Sequence, residues 1–590
     1  MHVFRPLPLV SALTAVLLLN ACGSVSQKTD ADALEITLHD NAANESEQTS
    51  TRAEPKALAE QGSRGEIAVL MSPPSPPAPA MAATQQRSLA KHVGQSVARR
   101  PLVRLPPQEP TETERYADID ANPVIATATD PVSTFSVDVD TGAYSNVRRF
   151  LEQGRLPPTD AVRVEEFVNY FDYSYPTPTN TQTPFTVSTE LALTPWNSER
   201  WLLQVGLKGF EVPHEQLPAS NLVFLLDVSG SMHSADKLPL VKTAMRMLVD
   251  QLRPQDRVAI VVYAGAAGVV LPSTTGSDKE TILAALDRLK AGGSTNGGQG
   301  IALAYQIALE QMVEGGVNRV ILATDGDFNV GTVDQQDLED LVSRKRKSGI
   351  ALTTLGFGQG NYNDHLAERL ANLGDGNHAY IDTEREARKV LVKELSANLL
   401  TIAKDVKIQI EFNPAVVSEY RLIGYENRLL AREDFNNDTV DAGEIGAGHT
   451  VTALYELTPV GSSALRLPPL RYGSEQITQA GGHELAFLKL RYKQPDSDRS
   501  ELLEQAIAAP QRLTSGSGQI QFSAAVAAFG EALRGGKYLD GYRYADIAEL
   551  AHSQRGPDPF GLRAELVELI GLAAQLSGET AQGGSIAIAR

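Results

Sequence analysis

Side chains with oxygen donors lie on three loops of this sequence, and together they could bind a metal ion. The first loop follows an apolar run, the second is rich in glycine, and the third follows another apolar run. The donors are Asp227, Ser229, Ser231, Thr295 and Asp325. Hard divalent cations prefer oxygen ligands, and Mg²⁺ requires near-octahedral geometry. We therefore predict a site for Mg²⁺, or for Mn²⁺ or Ca²⁺, with at least one position left for water or an incoming oxygen.

The elements that must position these donors alternate between strand and helix from residue 221 to residue 404. The pattern predicts strands at 222–226, 258–263, 317–323, 351–357 and 379–381, and helices at 238–252, 279–289, 300–312, 335–347, 364–373 and 384–400. Such alternation is typical of a parallel sheet that is covered by helices on both faces. In a doubly wound, Rossmann-like α/β domain of this kind, ligands bind beyond the carboxyl ends of the strands, where Asp227 and Asp325 fall.

Further strands and helices are predicted on both sides of this domain. Region 114–215 has an α+β pattern, region 405–497 is β-rich and region 498–590 is helical. The predicted strands are 133–140, 185–193, 201–207, 406–412, 451–457 and 484–492, and the predicted helices are 143–153, 162–171, 501–508, 522–533, 544–552 and 563–576. We expect the strands that precede and follow the α/β domain to pair with one another. That pairing would insert the domain into a β-sandwich-like region and place its two ends side by side.

The first residues resemble a bacterial lipoprotein signal. Arg5 precedes an apolar stretch at 9–19 that is too short to span a bilayer, and the one cysteine of the chain, Cys22, comes directly after a small residue. We predict that residues 1–21 are a cleaved signal peptide and that Cys22 carries lipid. The alternative is a plain secreted protein in which this cysteine is incidental.

Region 22–113 is rich in Ser, Pro and Ala, a composition that predicts a disordered tether. We expect the folded regions to be anchored in the cell envelope through the N-terminal lipid. The resemblance to Gram-negative lipoproteins favours the outer membrane, and it leaves open whether the protein faces the periplasm or the cell exterior.

The composition disfavours one class of partner. The 590 residues include 53 Lys and Arg against 72 Asp and Glu, and the resulting net charge of −19 argues against nucleic acid as a partner.

Two further motifs are incomplete. Nucleotide binding is not expected, because Asn361 replaces the last glycine of a dinucleotide fingerprint at 356–361. Segment 434–445 begins like a calcium-binding EF-hand loop, but it ends in Ile445 where a glutamate is needed.

The five oxygen donors resemble the metal-ion-dependent adhesion site of von Willebrand factor type A (VWA) domains, whose Asp-x-Ser-x-Ser, Thr and Asp elements are all present. The resemblance implies that Ser229, Ser231 and Thr295 would bind the ion directly. It also implies that Asp227 and Asp325 would bind the ion directly or through water.

The regions that flank the VWA-like domain resemble parts of bacterial VWA lipoproteins. Segments 138–149 and 162–171 are similar to an N-terminal companion domain, and segments 424–428 and 441–448 are similar to a C-terminal domain of unknown function. Relatives are sometimes labelled calcium-activated chloride channel homologues. We do not expect channel activity, because no stretch of the sequence is apolar for long enough to span a membrane.

The resemblance implies a binding function without catalysis. An acidic side chain of a partner protein would supply the oxygen that completes the metal shell, in adhesion or in the assembly of a complex. One alternative is an envelope scaffold in which the metal only stiffens the loops. The other is a hydrolase that uses metal-bound water, for which Asp327 is the available general base.

Overall fold

The computed structural model describes residues 114–179, 182–294, 297–326, 335–468, 483–509 and 511–579. The predicted signal peptide, the predicted lipidation site Cys22 and the predicted tether lie outside these residues. The strands are β1 (Ile125–Ala126), β2 (Val132–Ser136), β3 (Phe185–Leu193), β4 (Trp201–Gly209), β5 (Ser220–Asp227), β6 (Arg257–Tyr263), β7 (Ala267–Thr275), β8 (Val317–Thr324), β9 (Ala351–Phe357), β10 (His378–Ile381), β11 (Thr401–Phe412), β12 (Val417–Ile423), β13 (Gly443–Gly446), β14 (Thr450–Pro459), β15 (Glu484–Lys493) and β16 (Ser500–Ala508).

The helices are α1 (Gly142–Glu152), α2 (Val164–Asn169), α3 (Leu238–Gln251), α4 (Lys279–Arg288), α5 (Gly297–Glu310), α6 (Gln335–Arg346), α7 (Asp364–Leu373), α8 (Glu384–Arg388), α9 (Leu395–Leu399), α10 (Gly518–Leu533), α11 (Tyr544–Ser553) and α12 (Leu562–Leu576). The single long helix predicted at 384–400 is divided into α8, a π-helical turn at Lys389–Lys393 and α9.

The α/β domain contains a six-stranded sheet in the order β10-β9-β8-β5-β6-β7. All neighbours are parallel except β7, which pairs antiparallel with β6 at the edge. Strand β5 is buried along its whole length. Its Phe224 and Leu226 pack in one apolar cluster and its Val223 and Leu225 in another, because helices cover both faces of the sheet. The predicted doubly wound α/β fold is confirmed.

The edge strand β7 is absent from the sequence prediction. Pro272 lies within it, and a proline disfavours a strand because it has no N–H to donate to a ladder. A proline is nevertheless tolerated at an edge, where one side of the strand needs no partner. Strand β7 has this position, since β6 is its one neighbour among the described strands.

Two antiparallel sheets flank the α/β domain. One has the order β1-β12-β14-β4-β3, and the other has the order β13-β11-β15-β16 with β2 also paired to β11. Apolar side chains of both sheets, including Phe135, Leu203, Ile408 and Tyr455, form one buried cluster. Strand β4 precedes the α/β domain and pairs with β14, which follows it. The expected pairing across the inserted domain is therefore seen in the structure.

The prediction of a helix at 501–508 is wrong, because this segment forms strand β16. It pairs antiparallel with β15, with Leu503 opposite Leu490. The segment is rich in Glu, Leu, Gln and Ala, which are good helix formers. The hydrogen bonds of the ladder and the burial of Ile507 decide its conformation, since tertiary pairing routinely overrides local propensity.

Helices α1 and α2 pack against α10, α11 and α12 in a separate apolar cluster. Its aromatic members include Tyr144 and Phe167, whose ring centroids are 5.4 Å apart, and Phe529, which lies 6.0 Å from Phe167. The helical character of the C-terminal region from residue 518 onward therefore agrees with the prediction. In the part of the chain that the structure describes, every helix is too short or too polar to cross a membrane.

Arg148 of α1 is fully buried and joins three parts of the chain by ion pairs. Its Nη2 lies 2.5 Å from Asp382 Oδ1 and 2.8 Å from Glu386 Oε2, both in the α/β domain. Its Nη1 lies 2.9 Å from Glu565 Oε1 of α12. Because a buried guanidinium without acidic partners would be very costly, these contacts specify how the helices dock on the α/β domain.

Arg163, directly before α2, forms a second buried connection. Its Nη2 lies 2.7 Å from Asp364 Oδ2 and its Nη1 lies 3.0 Å from Glu368 Oε2, both on α7 of the α/β domain. Its Nε also pairs with Glu166. The region before the α/β domain is thus attached to α7 through charges as well as through apolar contacts.

Glu165 gives a prediction for the pH dependence of stability. It is buried, its Oε2 accepts the Tyr425 N–H at 3.0 Å, and its Oε1 has no hydrogen-bond partner among the described residues. Burial, followed by the nearby Glu426, raises the pKa of Glu165 from 4.5 to about 8. Between pH 4.5 and about pH 8 the folded state therefore holds a proton that the unfolded state releases. The free energy of unfolding falls as the pH rises through this range.

We expect Glu165→Gln to remove this loss of stability at higher pH, because glutamine has no carboxyl proton to release. Its free energy of unfolding relative to wild type should increase by about 1 to 3 kcal/mol between pH 6 and pH 9, as measured by urea unfolding. The control is Glu549→Gln, at an exposed position on α11. A difference from wild type that does not vary with pH would show that Glu165 is ionised in the folded protein.

Candidate metal centre

Two of the predicted ligands lie at the carboxyl ends of adjacent strands. Asp227 is the last residue of β5, and Asp325 directly follows β8. The two strands are parallel and in register, with Leu226 opposite Ala323, so their carboxyl ends meet at one edge of the sheet. Both aspartates are fully buried. The structure therefore brings the two carboxylates to the same place, as the alternation of strands and helices indicates.

The loop after β5 turns back over Asp227. Its Oδ1 accepts the Ser229 N–H at 2.8 Å, and the Thr324 hydroxyl donates to its Oδ2 at 3.4 Å. The Oγ atoms of Ser229 and Ser231 lie 3.0 Å apart. Ser229 is buried and Ser231 is exposed, so the pair of hydroxyls extends from the carboxylate to the surface.

Backbone hydrogen bonds hold the glycine-rich loop against the serine loop. Gly230 N–H donates to Gly293 O at 3.0 Å, and Gly292 N–H donates to Val228 O at 2.8 Å. A Cβ on Gly230 would lie 3.3 Å from Gly293 O, which explains why a residue without a side chain suits this approach. Thr295, the predicted ligand on this loop, lies outside the described residues, and so does Asp327.

Asp325 has two partners that the sequence analysis missed. The Lys237 ammonium donates to its Oδ2 at 2.8 Å, and Asn361 Nδ2 donates to the same oxygen at 3.2 Å. Lys237 also donates to Asn361 Oδ1 at 2.9 Å. The one hint in the sequence is Asn361 itself, a polar residue on a loop that follows strand β9.

The Asp227 carboxylate is the negative charge that a bound cation would neutralise. Burial raises the pKa of Asp227 to about 6, and Asp325 adds to the rise, while the Ser229 N–H opposes it. Burial and the Asp227 charge also raise the pKa of the Tyr263 phenol well above its usual value. Two buried carboxylates with hydroxyls beside them form an oxygen donor set that suits Mg²⁺ or Mn²⁺, so the described residues fit such an ion.

A second group of carboxylates lies at the boundary of the α/β domain. Oxygen atoms of Asp138, Asp140 and Glu368 lie within 4.8 Å of one another. The Arg428 guanidinium lies 3.2 Å from Asp138, 3.5 Å from Asp140 and 3.2 Å from Glu368. Because the arginine already supplies positive charge to all three, this group is an ion-pair cluster and a poor candidate for a metal.

The EF-hand-like segment also binds cations of the chain itself. The Lys407 ammonium donates to the carbonyl oxygens of Asp434 and Asn437 at 3.1 and 2.6 Å. Asp438 pairs with Arg491 at 3.2 Å. These contacts agree with the conclusion that the segment departs from a calcium-binding loop.

Three protein families match consecutive parts of the chain. Residues 110–204 match the family described as von Willebrand factor, residues 221–396 match the von Willebrand factor type A domain, and residues 397–576 match the family described as "Uncharacterized protein YfbK, C-terminal". The second match contains all five predicted metal ligands.

Individual proteins are similar over different extents. Uncharacterized protein YfbK from Escherichia coli is 50% identical over 469 residues, which cover 78% of this chain and 81% of that protein. Inter-alpha-trypsin inhibitor heavy chain H4 from Homo sapiens is 31% identical over 146 residues, which cover 23% of this chain and 16% of that protein.

The solved structure of von Willebrand factor type A from Catenulispora acidiphila is 17% identical in sequence, with a TM-score of 0.36. The match covers 64% of this chain and 88% of the chain in that structure. Because this TM-score is low, the fold class rests on the strand order of the chain itself. Identity to YfbK over most of both proteins, together with consecutive domain matches, shows that the chain belongs to the bacterial von Willebrand factor type A proteins that carry a YfbK C-terminal domain.

Proposed function

We propose that this protein is a metal-dependent binding module, which recognises a carboxylate of a partner protein through a divalent cation. The observation that carries the proposal is the pair of buried carboxylates, Asp227 and Asp325, at the carboxyl ends of adjacent parallel strands. A bound Mg²⁺ or Mn²⁺ would supply a Lewis acid with an open position for an incoming oxygen.

The residues of the chain have distinct roles in this proposal. Asp227 orients the serine loop by accepting the Ser229 N–H. The hydroxyl of the buried Ser229 lies next to that of the exposed Ser231. Thr295 completes the predicted ligand set. The exposed side of Ser231 is where the oxygen of a partner would arrive.

A short path connects this site to the region before the α/β domain. Asn361 contacts Asp325, and three residues later Asp364 begins α7 and pairs with Arg163. Glu114 Oε1 accepts the Gly360 N–H of the same loop at 2.8 Å. We propose that ligand binding biases the loop between conformations, and that Arg163 and Glu114 pass this bias to the companion domain.

The scaffold hypothesis has separate support from the buried charges at the domain boundaries. Arg148 attaches the companion domain to the α/β domain through Asp382 and Glu386, which are not part of the proposed metal site. In this second candidate function, assembly in the envelope uses the flanking domains, and the metal only stiffens the loops.

The proposed location is the outer membrane of a Gram-negative bacterium, through lipid on Cys22. The resemblance of residues 1–22 to a bacterial lipoprotein signal supports this part of the proposal. Membrane attachment by lipid would leave all the folded domains in an aqueous compartment.

Metal binding should be visible as thermal stabilisation. We expect saturating Mg²⁺ to raise the Tm of the wild-type protein, relative to EDTA, by about 2 to 4 °C or more, because the ion binds the folded state alone. Asp227→Asn, which keeps the size of the side chain, should lose the shift, and the exposed control Asp250→Asn should keep it. Equal shifts in all three proteins would place the ion elsewhere.

Carboxylate recognition should make partner capture dependent on metal. The mature full-length protein, immobilised in detergent, should retain a partner from an envelope extract in Mg²⁺ and release it in EDTA. Asp227→Asn should retain none. Replacement of individual Asp and Glu residues of the captured protein should then identify the one whose loss abolishes binding. Equal recovery in every arm would exclude this mechanism and support the scaffold.

A further inference from the structure

A lysine ammonium is part of the metal site, next to a carboxylate that the ion would need. Lys237 Nζ lies 2.8 Å from Asp325 Oδ2 and 2.9 Å from Asn361 Oδ1, and the residue is only 6% exposed. A buried, charge-assisted hydrogen bond of this length is strong. Lys237 is absent from the ligand set that the VWA resemblance implies, so its role requires a separate explanation.

The surrounding backbone holds this lysine in place. Lys237 N–H donates to Ser234 O at 3.1 Å, and its carbonyl accepts the Val241 N–H at 2.9 Å at the start of α3. Its aliphatic stem passes over Gly358, where an added Cβ would lie 2.3 Å from Lys237 Cγ. Gly358 also has a φ of +74°, which favours glycine. The ammonium is therefore held beside Asp325.

The charges of these buried groups decide what an occupied site would attract. Asp227 and Asp325 together with a divalent cation would be neutral, but Lys237 adds one positive charge to this set. A neutral oxygen from an amide or hydroxyl gains little from that excess, whereas a carboxylate gains from it. The same positive charge repels a divalent cation, so it weakens metal binding.

We infer that Lys237 is the specificity-determining residue of this site. Its positive charge makes the metal-loaded site select an anionic oxygen and lowers the affinity of the site for the ion. The inference rests on the proposed function, since it assumes that a cation binds at Asp227 and Asp325. It adds a reason for carboxylate selection that lies in the chain itself and not in the metal.

The test compares wild type, Lys237→Met and the control Lys279→Met, all as full-length mature protein. Methionine keeps an unbranched side chain over Gly358 and removes the charge, while Lys279 contacts Asp250 O on another part of the domain. Mn²⁺ affinity is measured from the electron paramagnetic resonance signal of the free ion. Acetate and acetamide are then compared as probes, through the proton relaxation of water on bound Mn²⁺.

We expect Lys237→Met to bind Mn²⁺ about tenfold more tightly than wild type, because a like charge has been removed. In wild type and in Lys279→Met, acetate should displace bound water at concentrations where acetamide has no effect. In Lys237→Met this preference should shrink about tenfold. Unchanged Mn²⁺ affinity and unchanged acetate preference in Lys237→Met would overturn the inference and leave the proposed function intact.

Other outcomes separate the two proposals. If wild type binds no Mn²⁺ but Lys237→Met does, the metal-dependent function is wrong while the effect of the lysine on ion affinity is supported. If neither protein binds Mn²⁺, both are overturned. The wild-type comparison of acetate with acetamide stands even if Lys237→Met does not fold, and equal effects of the two probes would exclude anion selection.

Discussion

Strand pairing across the point of insertion is the constraint on which the rest of this structure depends. Strand β4 leads into the α/β domain and pairs with β14 beyond it, and β2 pairs with β11, which begins where the domain ends. Both ends of the α/β domain are therefore connected to strands of the same sandwich. A change in the shape of the domain would act on the sandwich through two connections, and the proposed metal site lies at the carboxyl ends of the strands between them.

Buried charges define the boundaries between the domains. Arg148 and Arg163 each lose their hydration and recover the cost through several carboxylates from different parts of the chain. A buried ion pair adds little net stability compared with apolar packing, but removing one partner is costly. Such contacts therefore favour one docking arrangement over others. The same principle applies at the proposed metal site, where Lys237 and Asp325 form a buried pair.

Apolar runs that end at an aspartate are the sequence pattern that predicts this fold well. Strands β5 and β8 are buried along their lengths and contain the apolar runs 222–226 and 320–323, because both faces of their sheet are covered. Strand β5 ends in Asp227, and β8 is followed directly by Asp325. This combination predicts the edge at which Asp227 and Asp325 meet. Strand β16 has no comparable pattern, because it lies at a sheet edge and is largely exposed. Its residues favour a helix locally, and only pairing with β15 makes the segment a strand.

The sequence by itself determined the α/β class of the central domain, the strands at whose carboxyl ends Asp227 and Asp325 lie, and the resemblance to VWA proteins. These properties follow from the alternation of apolar runs and from the residues at their ends. Only the tertiary structure decided that Lys237 and Asn361 join Asp325, and that Arg148 and Arg163 connect the domains. Such contacts join residues far apart in the chain, and local residue patterns carry no information about which distant charges will meet after folding.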